Sequence, residues 1–490
     1  MSEAVLRPAV APASALASYP ARVLAVVAWV AVALALAPGA TDAFVWWSGS
    51  GLALAALWPF ARAWRRGLDP GDAVWCFLSY FVLAMLLRGI GVLTFVDSPY
   101  LRLLGDPRAA SYRHWAGWMF FYCTLGLVAL NAAYHAPSAR RRALDWLARS
   151  ALLRGPWRDS RILPVGLGLL AVGAAGMLLR LHSLGGFAHA VSDPLAAGTA
   201  EASGHFWQIA LTEFAVVGFH VLVIGAMLRG DRRLPWIWLG LGLLLGVPLY
   251  LVSSSKALLI RVLFTPMLFW HFLRRPLRLA HVLGFFAGFG LLFPLFYAYR
   301  ALGMLGLGGV GLYFETTDAP LLKLYNRAYD ADSFMRVLHA TGQGLVPLQW
   351  GRSLLDLFTF FIPRALWAAK PESFGLGFAT LYMPDVQWGS MTYVSSSLPG
   401  ELFLNFHVAG VLAGFLLLGW WLRAGVTLAR RGGPGAVLLY GYFFLAAVHL
   451  VEGSIAAQFE FFLTSAVPAL FALLLLRGPG TSVATPGGAA

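Results

Sequence analysis

Five basic residues lie inside long apolar segments or at their ends, where a charged side chain is costly and is therefore a candidate for function. They are Arg88, Arg180, Lys256, Arg261 and Arg300. Any one of them alone could extend its side chain to the lipid headgroups. Because all five fall at the same end of their segments, we predict that together they form a positively charged floor that binds a diphosphate.

Acidic residues and one histidine supply candidate partners and bases near that end. We interpret Glu213 and Glu460 as buried carboxylates that pair with arginines. Asp332 and Arg336 are four residues apart, which favours a solvated ion pair on the surface of one helix. His339 is a candidate base, although a single histidine more often makes a local hydrogen bond.

The composition indicates that membrane-spanning helices carry these residues. Hydrophobic residues make up 59% of the 490-residue chain and charged residues 12%. Soluble domains have about 45–50% and about 25%. The net charge of +14 lies mainly in short loops between apolar segments, which argues against a nucleic-acid partner. We therefore predict one all-α membrane domain that lies in a lipid bilayer.

Several motifs that would indicate other chemistry do not occur in the sequence. It has no Walker-type glycine loop, no His-Glu-x-x-His and no cysteine cluster. The first predicted external loop has one acidic residue, Asp42, where metal-dependent polyprenyl-phosphate sugar transferases have a pair. We therefore expect neither a bound metal nor another cofactor.

Twelve apolar segments are long enough to span a bilayer. They cover residues 21–37, 43–61, 73–94, 116–135, 162–181, 207–228, 236–252, 257–273, 281–300, 402–422, 436–452 and 456–476. This pattern predicts nine spans within 21–300, a long loop at 301–401 and three spans within 402–476. The tails at 1–20 and 477–490 are rich in Ala, Pro, Gly and Ser, and we expect both to be disordered and cytoplasmic.

The distribution of arginines predicts the orientation of the chain, because positive charge concentrates in cytoplasmic loops. Segment 136–161 contains seven arginines and is predicted to be cytoplasmic, together with both termini. The short loops on the other side hold only Arg102, Arg108, Arg113 and Lys256. The long loop then lies on the external side.

The loop at 301–401 is too apolar for a disordered linker. Residues 321–338 have helical apolar spacing, and residues 353–362 form an apolar run too short to span a membrane. We predict short amphipathic helices that lie on the membrane face.

Two short motifs lie near the end of this loop. Residues 361–371 read Phe-Ile-Pro-Arg-Ala-Leu-Trp-Ala-Ala-Lys-Pro, and residues 396–406 read Ser-Ser-Leu-Pro-Gly-Glu-Leu-Phe-Leu-Asn-Phe. Together they resemble the Wzy-type O-antigen and oligosaccharide repeat-unit polymerases. That family carries a Pro-Arg then Lys-Pro element late in the external loop, and a Gly-Glu then Asn-Phe-Gly entry into the next helix. His407 stands where the family has its glycine.

The resemblance implies a fold similar to the GT-C class and an undecaprenyl-diphosphate glycan polymerase of the bacterial inner membrane, with its active site facing the periplasm. Such an enzyme moves a growing chain from its lipid diphosphate onto an incoming lipid-linked repeat unit, and a chain-length regulator protein is a further expected partner. By this resemblance we predict that Arg364 and Lys370 hold the donor diphosphate. Glu401 is the predicted base, and Arg327 and His339 are predicted to bind substrate.

Two other functions stay open on the sequence. An O-antigen ligase passes the chain to a lipid A core and usually depends on an external-loop histidine, for which His339 is the candidate. A flippase for lipid-linked oligosaccharides also fits twelve helices. The long structured loop argues against a flippase, since carriers bind their substrates near the mid-plane of the membrane between repeats.

Overall fold

The computed structural model describes residues 14–39, 42–64, 67–94, 109–136, 150–192, 206–230, 234–253, 256–292, 295–296, 298–299, 330–362, 366–367, 369–370, 374, 378 and 396–477. These residues form helices and no strand. Eight of the described helices are long and apolar enough to cross a membrane, and four shorter apolar helices occupy the other predicted positions. The prediction of an all-α polytopic membrane protein is confirmed, whereas the count of twelve spans stays a prediction.

The helices at the twelve predicted positions are numbered here in chain order. They are α1 (Ser14–Leu36), α2 (Asp42–Trp64), α3 (Ala73–Thr94), α4 (Ala109–His135), α5 (Asp159–Ser183), α6 (Phe206–Arg229), α7 (Leu234–Ser253), α8 (Lys256–Leu273), α9 (Leu279–Leu291), α10 (Leu398–Arg431), α11 (Pro434–His449) and α12 (Ile455–Leu476). The helix Asp330–Gly342 in the long loop is called the loop helix. Two short turns follow it, Arg352–Leu355 and Asp356–Thr359.

Small residues allow the spanning helices to pack closely, as is typical of membrane bundles. A Cβ atom on Gly173 of α5 would lie 2.1 Å from the backbone nitrogen of Ala215 in α6. Similarly, a Cβ atom on Gly419 of α10 would lie 2.3 Å from the carbonyl oxygen of Leu130 in α4. One hydrophobic core therefore surrounds α3, α4 and α10, and a second surrounds α5, α6 and α12.

The sequence predicted that the loop helix lies on the membrane face. It is instead buried in the first of these cores. Nine of its thirteen residues are buried, and it packs against α3, α4 and α10. Its apolar side chains lie mainly on one face, where Phe334, Met335 and Val337 are fully buried. Polar residues on its other faces, such as Ser333 and Arg336, are buried as well, so the bundle surrounds this part of the long loop.

A polar cluster closes the opposite end of the bundle, on the side that the arginine pattern assigns to the cytoplasm. Asp69 accepts hydrogen bonds from Arg430 and from His271, whose Nε2 lies 2.8 Å from Oδ1 of Asp69. Asp72 is the N-cap of α3 and also accepts a hydrogen bond from the hydroxyl of Tyr134. These contacts join the loop before α3 to α4, α8 and α10.

The pKa values of the two carboxyl groups in this cluster shift in opposite directions. Burial raises the pKa of Asp72 to about 6, although the hydrogen bond from Tyr134 and the charge of Arg430 oppose it. Burial also acts to raise the pKa of Asp69, but His271 and Arg430 outweigh it and lower that pKa to about 2. The two groups therefore affect stability in different pH ranges.

We predict that the contribution of Asp72 to the stability of the folded state falls as the pH rises from about 4 to about 6. The unfolded chain releases the Asp72 proton near pH 3.8, whereas the folded chain keeps it until about pH 6. This difference corresponds to about 3 kcal/mol. The stabilising contribution of Asp69 is lost only as the pH falls from 3.8 through about 2, outside this range.

Thermal unfolding in detergent at several pH values measures the effect. The Asp72→Asn variant has no group to titrate at this position. The fall of Tm between about pH 4 and pH 6 should therefore be less steep in this variant than in the wild type. An equal slope in both proteins would contradict the prediction.

Candidate active site

A cavity of about 620 Å³ lies between α4, the end of the loop helix and α10. This volume is within the range of about 300–1,000 Å³ that is usual for ligand sites. Aromatic side chains form much of its wall, namely Trp115, Trp118, Tyr122, Phe403 and His407. Because flat aromatic faces pack well against the C–H faces of pyranose rings, a cavity with this lining suits a sugar unit.

An ion pair positions the loop helix beside this cavity. The Arg88 guanidinium donates from Nε to Oδ1 of Asp332 at 3.1 Å and from Nη2 to Oδ2 at 2.7 Å. This two-pronged geometry fixes orientation as well as distance. Arg88 is fully buried and directly follows a π-helical stretch, Val82–Leu87, of a kind that is frequent at functional sites.

The expected solvated pair between Asp332 and Arg336 is therefore wrong. Asp332 pairs with Arg88 of α3, and Arg336 is buried with 8% of its surface exposed. Helical spacing correctly placed both residues on one helix. It could not indicate that the bundle covers this face.

The wall of the cavity includes a break in α10. Phe406 and His407 have non-helical backbone angles in the middle of the helix. The carbonyl groups of the two preceding residues instead accept hydrogen bonds from the backbone N–H groups of Gln349 and Trp350, at 2.9 and 3.1 Å. Irregular backbone at membrane depth is tolerated only where protein buries it or where it lines a cavity, and the break lines a cavity.

Glu401 lies in a buried hydrogen-bond network next to this break. Its Oε1 accepts from the hydroxyl of Ser353 and its Oε2 from the backbone N–H of Ile455, both at 2.7 Å. The side-chain amide of Asn405 donates to the same Ser353 oxygen at 2.7 Å. Glu401 is fully buried, and its carboxylate joins the long loop to the first turns of α10 and α12.

The second sequence motif coincides with the start of α10. The Ser397 side chain caps the helix by accepting from the N–H of Gly400, Pro399 lies in the first turn, and Glu401 follows where a negative charge suits the helix dipole. The helix therefore begins four residues before the predicted start at 402. Hydropathy alone assigned these capping and first-turn residues to the loop, but they form the start of the helix.

The predicted diphosphate clamp lies partly outside the described residues. Lys370 donates from Nζ to the carbonyl groups of Phe360 and Ile362, at 3.1 Å each, where a cation is favoured at the end of a helical turn. Arg364, Arg300 and Arg327 are not among the described residues. The roles predicted for these four basic residues stay predictions.

The described intramembrane cations lie in different surroundings. Arg261 lies 2.5 Å from the carboxylate of Glu213, which confirms that Glu213 is the buried partner of an arginine. Arg180 and Glu213 both line a second, much smaller cavity. The Nζ atom of Lys256 lies 6.0 Å from the centroid of the Phe296 ring. None of these cations lines the large cavity, and neither does Arg88. The diphosphate floor they were predicted to form stays a prediction.

The sequence reasoning missed the aromatic residues of the cavity. Trp115, Trp118 and Tyr122 are three and four residues apart, so they share one face of α4, and this spacing was a readable signal. His339 lies behind that wall, with its ring centroid 6.0 Å from that of Trp115. Its Nδ1 atom is buried and has no hydrogen-bond partner within the described part of the chain.

Comparison of the chain with family models, with curated proteins and with solved structures finds no match in any of the three.

Proposed function

We propose that this protein is a membrane glycosyltransferase that polymerises undecaprenyl-diphosphate-linked oligosaccharide repeat units into O-antigen or a related surface polysaccharide. The observation that carries the proposal is the aromatic cavity of about 620 Å³ beside the break in α10. Its size and lining suit a sugar unit. The motifs at 361–371 and 396–406, which resemble those of repeat-unit polymerases, supply the class of donor.

The proposed reaction transfers a glycan from one lipid carrier to another. An acceptor hydroxyl attacks the anomeric carbon of the donor, and the bond from that carbon to the diphosphate breaks. Glu401 takes the hydroxyl proton, while Arg364 and Lys370 stabilise the charge on the leaving diphosphate. Because cationic side chains can neutralise this charge, we propose that no divalent metal is required.

The proposed setting is the bacterial inner membrane, with twelve spans in a GT-C-like arrangement and the cavity on the periplasmic side. Both lipid tails would stay in the bilayer beside the bundle while the sugars reach the cavity. A chain-length regulator protein is the proposed protein partner.

The orientation predicts which introduced cysteines react with an impermeant reagent in sealed cells. In a background without Cys76 and Cys123, a cysteine at Leu345 should be labelled before the membrane is broken, because this loop residue is 66% exposed. A cysteine at Arg275, in a predicted cytoplasmic loop, should be labelled only after permeabilisation. The reverse pattern would contradict the proposed topology. Leu345 is a better site than Gly342, where an added Cβ atom would meet the Trp115 ring at 2.2 Å.

Transfer by the purified protein in vesicles tests the proposed activity. Lipid-linked repeat units should be converted to a ladder of products, and addition of EDTA should leave the rate unchanged. A single transfer to lipid A core would indicate a ligase, and movement of the substrate without transfer would indicate a flippase. Loss of the ladder in EDTA, with recovery in magnesium, would reject the metal-independent mechanism.

A matched pair of variants tests whether the cavity is the site. Val346 lines the cavity, whereas the adjacent Leu345 does not line it and is exposed. Val346→Trp should place an indole ring in the cavity and obstruct sugar binding, which should abolish the ladder, and Leu345→Trp should leave the ladder intact. Equal activity of both variants would show that the sugars bind elsewhere.

A further inference from the structure

We propose that His407 contacts the acceptor sugar, and that the break in α10 exists to place its imidazole in the cavity. The proposal rests on the proposed function and deepens it by naming a sugar-binding side chain. The backbone of His407 has φ 55° and ψ −148°, a conformation that is essentially restricted to glycine. Residues held in such conformations cluster at active sites and ligand-binding positions.

The contacts around the break hold this conformation. Besides the two backbone hydrogen bonds from Gln349 and Trp350, the side-chain oxygen of Asn405 accepts from the N–H of Gly351 at 2.9 Å. The ring of Phe403 packs against the imidazole, with centroids 4.4 Å apart. The break is thus built by specific contacts between the loop and α10.

The His407 side chain is available to a ligand. It lines the cavity and is exposed, and its ring makes no hydrogen bond within the part of the chain that the structure describes. The Tyr122 ring lies across from it, with centroids 6.3 Å apart. A neutral imidazole has one donor and one acceptor nitrogen, which suits the hydroxyl groups of a sugar.

Two substitutions separate the imidazole from the backbone strain. His407→Gly removes both, whereas His407→Ala removes the imidazole and keeps a Cβ atom in the strained conformation. We expect KM for the acceptor to rise by about two- to tenfold in both variants, which corresponds to one lost hydrogen bond. We expect Tm to rise above the wild type only in His407→Gly. His407→Gln, which keeps a donor and an acceptor, should recover part of the KM effect.

The control Ala409→Gly adds a flexible residue two positions away and keeps His407. Its KM should match the wild type, so that a change in the His407 variants is attributable to the imidazole. A wild-type KM in both His407→Gly and His407→Ala would overturn the proposal, as would a Tm for His407→Gly no higher than that for His407→Ala.

Failure of this inference differs from failure of the proposed function. If Val346→Trp blocks the ladder while the His407 variants keep the wild-type KM, the cavity is the site and His407 is not a sugar contact. If Val346→Trp has no effect, the cavity itself is not the substrate site and this inference fails with it.

Discussion

Replacing Asp332 with asparagine should destabilise the protein by about 3–5 kcal/mol, because it breaks a buried ion pair and removes the carboxylate that faces the Arg88 guanidinium. The side chain of Asp332 is 13% exposed, so we expect a value near the lower end of this range. The substitution should also lower the rate of transfer, since the loop helix that carries Asp332 forms part of the cavity wall through Leu338 and Thr341. Thermal unfolding in detergent and the transfer assay measure the two effects.

A double variant separates the structural role of this pair from a role in binding diphosphate. Arg88→Met combined with Asp332→Leu replaces the pair by apolar groups, which is often neutral or stabilising for buried pairs. If Arg88 only holds the loop helix, the double variant should regain both Tm and turnover. If Arg88 binds the diphosphate, as the sequence analysis predicted, Tm should return while turnover stays lost. Single variants with the wild-type Tm would contradict the importance of the pair.

Hydropathy predicted the positions of the apolar helices. The positions of all twelve apolar helices follow from the length of each apolar segment, because the bilayer requires a nearly continuous run of apolar residues. The pairing of Glu213 with an arginine also followed from the cost of a buried charge. The apolar helices and the buried pair both depend on the local sequence and on the cost of placing polar groups in lipid.

The contacts within the long loop could not be predicted in the same way. Asp332 and Arg88 are 244 positions apart in the chain, and nothing in their local sequence identifies them as partners. The break in α10 depends on backbone groups of Gln349 and Trp350, which carry no side-chain signal. The cavity is formed by three elements together, so only their packing defines it.

Glu401→Gln should lower the rate of transfer by about a hundredfold to ten-thousandfold if Glu401 is the general base. Glutamine has nearly the same shape and can still accept a hydrogen bond from the N–H of Ile455. The hydroxyl of Ser353 can reorient and accept from the new amide, so we expect the variant to fold. Glu401 is fully buried and does not line the cavity, so its carboxylate must move toward the cavity to reach an acceptor hydroxyl.

Ser353→Ala is the matched control for this prediction. It removes the same hydrogen bond between the loop and α10 but leaves the carboxylate of Glu401 in place. Each substitution should lower stability by about 1–3 kcal/mol, since each disturbs a buried hydrogen bond. If Glu401 is the base, its variant should lose far more activity than Ser353→Ala at a comparable Tm. If the two variants lose activity in parallel with Tm, Glu401 is an anchor for the loop, and His339 becomes the next candidate for the base.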